Sequence, residues 1–401
     1  MDKATFRRLL DVVGQAMERP ASERDPFLAD AFADDPGLLD EARALVAEAA
    51  ETSLDDMTSR MAAVVDRAAA EATEPRPPER IGPYRVVRAL GRGGMGVVYL
   101  GRQDAPLRRD VAIKVIRTGI ADRETLARFS AERQALALME HPDIARVFDA
   151  GATESGRPYF VMELVQGLPI TEYCEREGLG IDARLELFRT VCEAVHHAHQ
   201  RGIIHRDLKP SNVLVALEDG RPVPKVIDFG VAKVLEGLLA DDSIHTRAGA
   251  LVGTLDYMSP EQIRGEEGVD IRSDVYSLGV ILYQLVSGRH PFEDTTLRRA
   301  GLLEARRILL ETDPPRPSRS AAAASGFTRR RERRTGGPAR RVRPDLDWVV
   351  MKALEKDRER RYPSALELAH DLERYANDEP VSAGPPGLPY RARKFVRRHR
   401  V

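Results

Sequence analysis

The spacing of hydrophobic positions changes along the chain, and each change marks a different kind of element. In the first eighty residues apolar side chains recur at helical spacing, with Phe6, Leu9, Leu10, Val13 and Met17 on one face. Asp25-Pro26 and Asp35-Pro36 each read as an N-cap followed by proline at the first helical position. Together they predict a helical extension over residues 1–75. Three prolines and closely spaced charges between Glu71 and Glu79 then break all periodicity and predict a linker ending over 76–80. From Ile81 the runs are short and strand-like: Tyr84 to Leu90, Val97 to Gly101, and Val111 to Ile116. Beyond about Gly178 they lengthen into helical runs such as Ile181 to Arg201 and Asp274 to Ser287. The pattern predicts an α+β chain, with a sheet-rich part over 81–166, a helical part over 167–376 and a Pro-rich, basic tail over 377–401.

Composition narrows the setting. The chain has 401 residues, 42% hydrophobic and 31% charged, which excludes wholesale disorder. Its two cysteines, Cys174 and Cys192, cannot build a disulfide framework and suit a reducing cytoplasm. No run of 18 apolar residues appears, and the N-terminus lacks a signal peptide's apolar stretch. The expected location is cytoplasmic.

The formal net charge of −1 conceals segregation: residues 1–80 sum to −8, while 316–343 carry ten arginines against Glu332. The latter stretch has no apolar face and is expected to be a disordered insert. No aromatic residues alternate with its arginines as in nucleic-acid binders, so nucleic acid is not an expected partner. Residues 391–401 hold six basic side chains and no acidic one. Such a tail can rest on the acidic inner face of a membrane, at about 1 kcal/mol per basic residue. Cys192, His196, His197 and His199 lie close enough to suggest zinc, but their helical setting favours a structural role.

Three motifs carry chemistry. Gly91-Arg-Gly93-Gly-Met-Gly96-Val-Val98 lies between two strand-like runs, where glycines let a turn close over phosphates. Alone it fits a ligand-free hairpin equally well, and its setting disfavours a dinucleotide fold, which opens a helix directly after the glycines. Lys114 lies in the apolar strand Val111-Ala-Ile-Lys114-Val-Ile. A buried ammonium needs anions, and Glu132 in the helical stretch 124–140 is its expected carboxylate.

The most specific motif is His205-Arg206-Asp207-Leu-Lys209-Pro-Ser-Asn212, followed by Asp228-Phe229-Gly230. A four-position pattern of this kind arises by chance about once in a thousand chains of this length. Asp207 can accept a hydroxyl proton, Lys209 can steady a phosphoryl group in transfer, and Asn212 with Asp228 offers hard oxygen ligands for Mg²⁺.

Taken in order over 81–376, these motifs resemble the eukaryotic-like protein kinases. The wording GRGGMGVVY, HRDLKPSN and GTLDYMSPEQ is most similar to the bacterial serine/threonine branch. The resemblance implies a bilobal fold, with an antiparallel-sheet small lobe and a helical large lobe, and with ATP and Mg²⁺ between them. It implies that Gly91, Arg92, Gly93, Gly94, Met95, Gly96 and Val98 cover the phosphates, and that Ala112, Met162, Glu163 and Val165 receive the adenine. Lys114 would bind phosphates and pair with Glu132; Asp207 would be the catalytic base, with Lys209 beside it. Leu136, Val147, His205 and Phe229 would stack as an internal spine, Glu261 would pair with Arg361, and Asp274 would anchor the catalytic loop. Lys209 and Thr254 imply protein substrates with Ser or Thr acceptors. Arg206 implies activation by a phosphate on the segment between Asp228 and Glu261, with Thr246, or else Ser243, as the autophosphorylated residue.

Two other readings stay open: a partner-binding pseudokinase, which the presence of Lys114, Glu132, Asp207, Asn212 and Asp228 disfavours, and a small-molecule phosphotransferase, which the complete segment ending at Glu261 disfavours.

Overall fold

The computed structural model describes residues 12, 16, 19, 21–32, 39, 78–93, 96–105, 107–116, 140–229, 255–266, 268–292, 302–320, 343–385, 390 and 394. The chain divides into two compact units, Met1–Glu74 and Pro75–Val401.

In the first unit, helix α1 (Ala21–Ala31) contains Pro26 in its interior. The expected helix start at Asp25-Pro26 is therefore corrected: the helix begins upstream and runs through the proline. Leu28 and Phe32, one turn apart and both C-terminal to the proline, are buried with Ala16. Burying each large apolar side chain contributes about 1.5–3 kcal/mol, enough together to offset the ~3 kcal/mol of an interior proline. Phe6, Leu9, Leu10, Val13, Met17 and Asp35-Pro36 lie outside the described residues.

The second unit opens with a sheet of β1 (Arg80–Ile81), β2 (Tyr84–Gly93), β3 (Gly96–Gln103), β4 (Arg109–Ile116), β5 (Val147–Ala152) and β6 (Pro158–Glu163). Its order is β1-β2-β3-β4-β6-β5 and every pairing is antiparallel. Side chains alternate between the faces of a strand. On β4 and β6, Val111, Ile113, Tyr159 and Val161 thus form one cluster with Ile81 and Tyr84. Ala112, Ile116, Phe160 and Met162 point the other way, into the main core. Lys114 shares their parity, so period-two geometry alone sends its ammonium inward.

A second small sheet, β7 (Gly167–Pro169), β8 (Val213–Glu218) and β9 (Arg221–Val226), follows the first. Helices α2 (Ile170–Arg176), α3 (Ile181–His199), α4 (Pro260–Arg264), α5 (Ile271–Ser287), α6 (Leu302–Glu311), α7 (Pro344–Ala353) and α8 (Ala365–Ala376) make the large lobe. Fourteen of the seventeen residues of α5 are buried, so it is the central helix and any charge on it requires a partner. Gly279 lets it approach α7: an added Cβ would lie 2.9 Å from the Ala353 Cβ.

The stretch expected to be a disordered insert has fixed points. At the start of the Arg-rich insert, Ser318 bonds to Asp347 through its amide at 2.9 Å and its hydroxyl at 2.5 Å, and Ser320 meets the Tyr283 hydroxyl at 2.7 Å. At its end Arg343 is buried, pairs with Asp378 and stacks over Tyr375. Disorder over the whole of 316–343 is thus corrected at both ends; residues 321–342 lie outside the described residues.

The tail beyond α8 folds back. Asp371, fully buried, accepts from Ser382 N at 2.7 Å, Ser382 Oγ at 2.8 Å, Ala383 N at 3.0 Å and Tyr362 OH at 2.8 Å. Tyr390 packs edge-on against Trp348 and accepts from Val381 N at 3.2 Å. Lys394 lies 2.8 Å from Asp345, with both side chains 3% exposed. One of the tail's six basic residues is therefore committed to the protein's own interior.

Candidate active site

The loop at 205–212 is held in an uncommon backbone conformation, Arg206 having φ 66°. Such a residue costs about 1–3 kcal/mol and persists only where its surroundings over-determine it. Here Asp274 accepts from His205 N and Arg206 N, both at 2.8 Å. Gln262 Nε2 holds the Arg206 carbonyl at 2.8 Å. The Asp274 carboxylate is completely buried, which alone would raise its pKa. His199, 2.8 Å away, and the His205 amide reverse that and hold it below the usual carboxylate range. Asp274 thus anchors the loop from α5, as the resemblance implied.

The loop delivers Asp207 to a dense set of donors. Lys209 Nζ meets both carboxylate oxygens, at 3.0 and 2.8 Å. Asn212 Nδ2 donates to the Asp207 carbonyl at 2.8 Å and to Oδ2 at 3.2 Å. Asn212 ends a one-turn 3-10 helix, Pro210–Asn212, whose proline suits a first helical position. His205 stacks edge-on against Phe229 with centroids 4.7 Å apart, and its Nε2 meets the Ile227 carbonyl at 2.9 Å. That bond fixes the approach to Asp228, whose φ is 65°.

Lys114 comes to the same place from the sheet, opposite Val98 and Phe160 in register. Its Nζ donates to Asp228 Oδ2 at 2.8 Å, with the two side chains 9% and 15% exposed. Its expected partner Glu132 lies outside the described residues, as do Gly94, Met95, Leu136, Ser243, Thr246 and Thr254. Among the described residues, Asp228 is the carboxylate that satisfies Lys114.

The glycine hairpin pairs Gly91 with Val98, Arg92 with Val97 and Gly93 with Gly96. At Gly96 the requirement for glycine is steric: an added Cβ would sit 2.1 Å from the Val115 carbonyl oxygen. Ala112 and Met162 face each other across β4 and β6 with their side chains buried. Glu163 closes β6 with its side chain committed to protein partners, Lys225 at 2.6 Å and the Arg146 amide at 3.3 Å. Any contact from Glu163 to a ligand therefore falls to its backbone. Leu164 continues the chain against the main core, and Val165 follows it, half-buried.

Glu261 and Arg361 form the expected pair, bidentate at 2.6 and 2.7 Å, with side chains 3% and 0% exposed. Arg361 also donates to the carbonyls of Glu355, Lys356 and Arg272, which satisfies the buried guanidinium. Burial pushes Glu261 upward, but Arg361 wins and holds it low.

The Cys/His group disperses. His199 belongs to Asp274, His197 packs against the His141 ring, and Cys192 is fully buried, which pushes its thiol well above its ordinary value and disfavours the thiolate a metal needs. Sequence reasoning missed Gln262 and Lys225. Gln262 had a signal, since Ser259-x-x-Gln262 is a capping box, and it forms here. Lys225 had none.

Residues 84–372 match the family of the protein kinase domain. Over 296 residues the chain is 40% identical to serine/threonine-protein kinase Pkn1 of Myxococcus xanthus, covering 73% of this chain and 38% of that protein. It is 37% identical over 312 residues to serine/threonine-protein kinase PknB of Mycobacterium leprae (strain TN), covering 77% and 45%. It therefore spans less than half the length of these curated relatives. The crystal structure of the Mycobacterium tuberculosis PknI kinase domain superposes with a TM-score of 0.51 at 27% identity, covering 73% of this chain and 96% of that one.

Proposed function

This chain belongs to the protein kinase family, and on that premise we propose that it is an ATP-dependent serine/threonine protein kinase of bacterial signalling. It would transfer the γ-phosphoryl group of ATP to Ser or Thr hydroxyls of proteins. The observation that carries the reading is the Asp207 carboxylate, held by Lys209 and Asn212 where the loop anchored on Asp274 presents it.

The step follows from that arrangement. Asp207 orients the acceptor hydroxyl and takes its proton as the oxygen bonds to the γ-phosphorus and the bond to the β–γ bridging oxygen breaks. Lys209 offsets the charge on Asp207 and on the phosphoryl group in transfer. Lys114 holds phosphate oxygens, and the glycine hairpin from Gly91 to Gly96, with Arg92 and Val98, covers them. Ala112, Met162 and the 163–165 backbone receive the adenine. Asn212 Oδ1 and the second oxygen of Asp228 are hard donors that fit a magnesium ion. When bound, that ion neutralises phosphate charge.

The kinase domain is assigned to 81–376, with activation by autophosphorylation at Thr246 or Ser243. A cytoplasmic location agrees with the absence, among the described residues, of a helix long and apolar enough to cross a membrane. Membrane contact through the tail would rest on its basic residues other than Lys394.

The test is incubation with labelled ATP, Mg²⁺ and a generic protein acceptor, followed by phosphoamino-acid analysis. Label on serine or threonine is expected, and its loss in Asp207→Asn. Equal transfer by Asp207→Asn overturns the assignment of the base; no transfer by the wild type favours the pseudokinase; and a metabolite labelled far faster than any protein favours the small-molecule phosphotransferase. A Thr246→Ala, Ser243→Ala double variant of full activity would remove the proposed activation step.

A further inference from the structure

Lys225 lies on β9, in no motif, and its side chain is 12% exposed between two carboxylates, 2.6 Å from Glu163 and 3.2 Å from Glu218. Glu163 ends β6, and its amide donates to the Arg146 carbonyl at 2.9 Å. The residues just before Arg146 are tied in turn to β9: Val226 N donates to the Asp143 carbonyl and Ala145 N to the Val226 carbonyl, both at 2.9 Å, around a parallel bridge from Ile144 to Val226. The contacts thus close a ring from β9 through 143–146 to Glu163 and back. Backbone bonds make every other link; the return link is the Lys225–Glu163 ion pair.

The ring has functional groups on both sides. Past Val226, Ile227 is fixed by its amide on the Asn212 carbonyl at 2.9 Å and by its own carbonyl on His205, and the next residue is Asp228, which holds Lys114. Past Glu163 comes the 164–165 segment. The two sides are the proposed receivers of opposite ends of one nucleotide.

We propose that Lys225 is a positioning residue for the nucleotide: by holding Glu163 against β9 it fixes the spacing between the 163–165 backbone and Asp228, so that one Mg-ATP satisfies both. The inference rests on the kinase reading. Removing the ammonium leaves the Glu163 carboxylate with the Arg146 amide alone, and a partly buried, half-satisfied carboxylate draws in water and moves. The consequence falls on ground-state binding, because Lys225 touches no reacting atom.

The experiment is calorimetric titration of the full chain with Mg-ATP, with steady-state kinetics alongside. Lys225→Met is expected to raise Kd and KM for ATP about tenfold, with kcat at saturating ATP within about threefold. Lys225→Arg, which keeps charge and reach, is expected to stay within about threefold of the wild type. Unchanged Mg-ATP affinity in Lys225→Met overturns the proposal while leaving the kinase reading intact, and so does Lys225→Arg binding as weakly as Lys225→Met. Should Lys225→Met fail to fold, Glu163→Gln removes the same charge pair at nearly constant shape; it is expected to weaken Mg-ATP about three- to tenfold, and wild-type affinity there overturns the proposal. A wild type that binds no Mg-ATP overturns the kinase reading and this inference with it.

Discussion

In the small-lobe sheet, Lys114 and the glycines are placed by strand register, with Val98 and Phe160 beside Lys114 and with Gly96 against the Val115 carbonyl. Around α5 the catalytic loop is placed by buried charge, with Asp274 gathering two backbone amides and His199, and Arg361 completing Glu261. The first method tolerates side-chain change and resists added volume. The second tolerates small changes of shape and resists loss of charge. The two regions meet at the Lys114–Asp228 pair, one partner delivered by each method.

The contrast can be broken at four points. The largest effect is expected for Asp207→Asn: transfer to a protein acceptor should fall about a thousandfold, in the range for loss of a general base, with Mg-ATP affinity nearly unchanged. Glu261→Gln comes next, since it leaves the Arg361 guanidinium buried without its counter-charge. It should lower unfolding free energy by about 3 kcal/mol or more in urea, whereas Lys209→Met, at a more exposed position, should lower it far less. In the sheet, Gly96→Ala leaves every charge in place and adds one carbon. It should weaken Mg-ATP about tenfold by calorimetry and also lower the melting temperature, because the Val115 backbone must give way to the new carbon.

The fourth point concerns Lys356, whose ammonium donates to the Leu309 carbonyl at 2.5 Å and lies 4.7 Å from the Phe292 ring centre. Burial lowers its pKa to about 8. Its unfolded value is higher, so between about pH 8 and 10 the unfolded chain binds more protons and stability rises with pH. Denaturant titrations should show a gain of about 2 kcal/mol across that window, absent in Lys356→Met. Above pH 10 the buried tyrosines, Tyr276 and Tyr362 among them, reverse the slope, because burial raises their pKa values.

How much of this was legible in the sequence depends on how far apart the interacting residues lie. The 205–212 loop was legible because its chemistry is packed into eight consecutive residues, and the strands through Val98, Ala112 and Lys114 because alternation is local. The Glu261–Arg361 pair and the Asp274 anchor, though distant in sequence, came through the family's wording and not from periodicity. Lys225 was not legible: its partner Glu163 is 62 residues away, and nothing local distinguishes a lysine at a strand end that faces water from one that faces a carboxylate. The same holds for Lys394 and Asp345. Pro26 misled for the opposite reason: Asp25-Pro26 is a strong local signal for a helix start, yet the helix already runs from Ala21.

The folded-back tail gives the large lobe a direction in which it can be pulled. A tension on the residues beyond Lys394 would first meet the Lys394–Asp345 pair, then the Tyr390–Trp348 contact, and only afterwards the Ser382 and Ala383 bonds to Asp371. These fastenings act in series, so they would fail one at a time before the load reached α8.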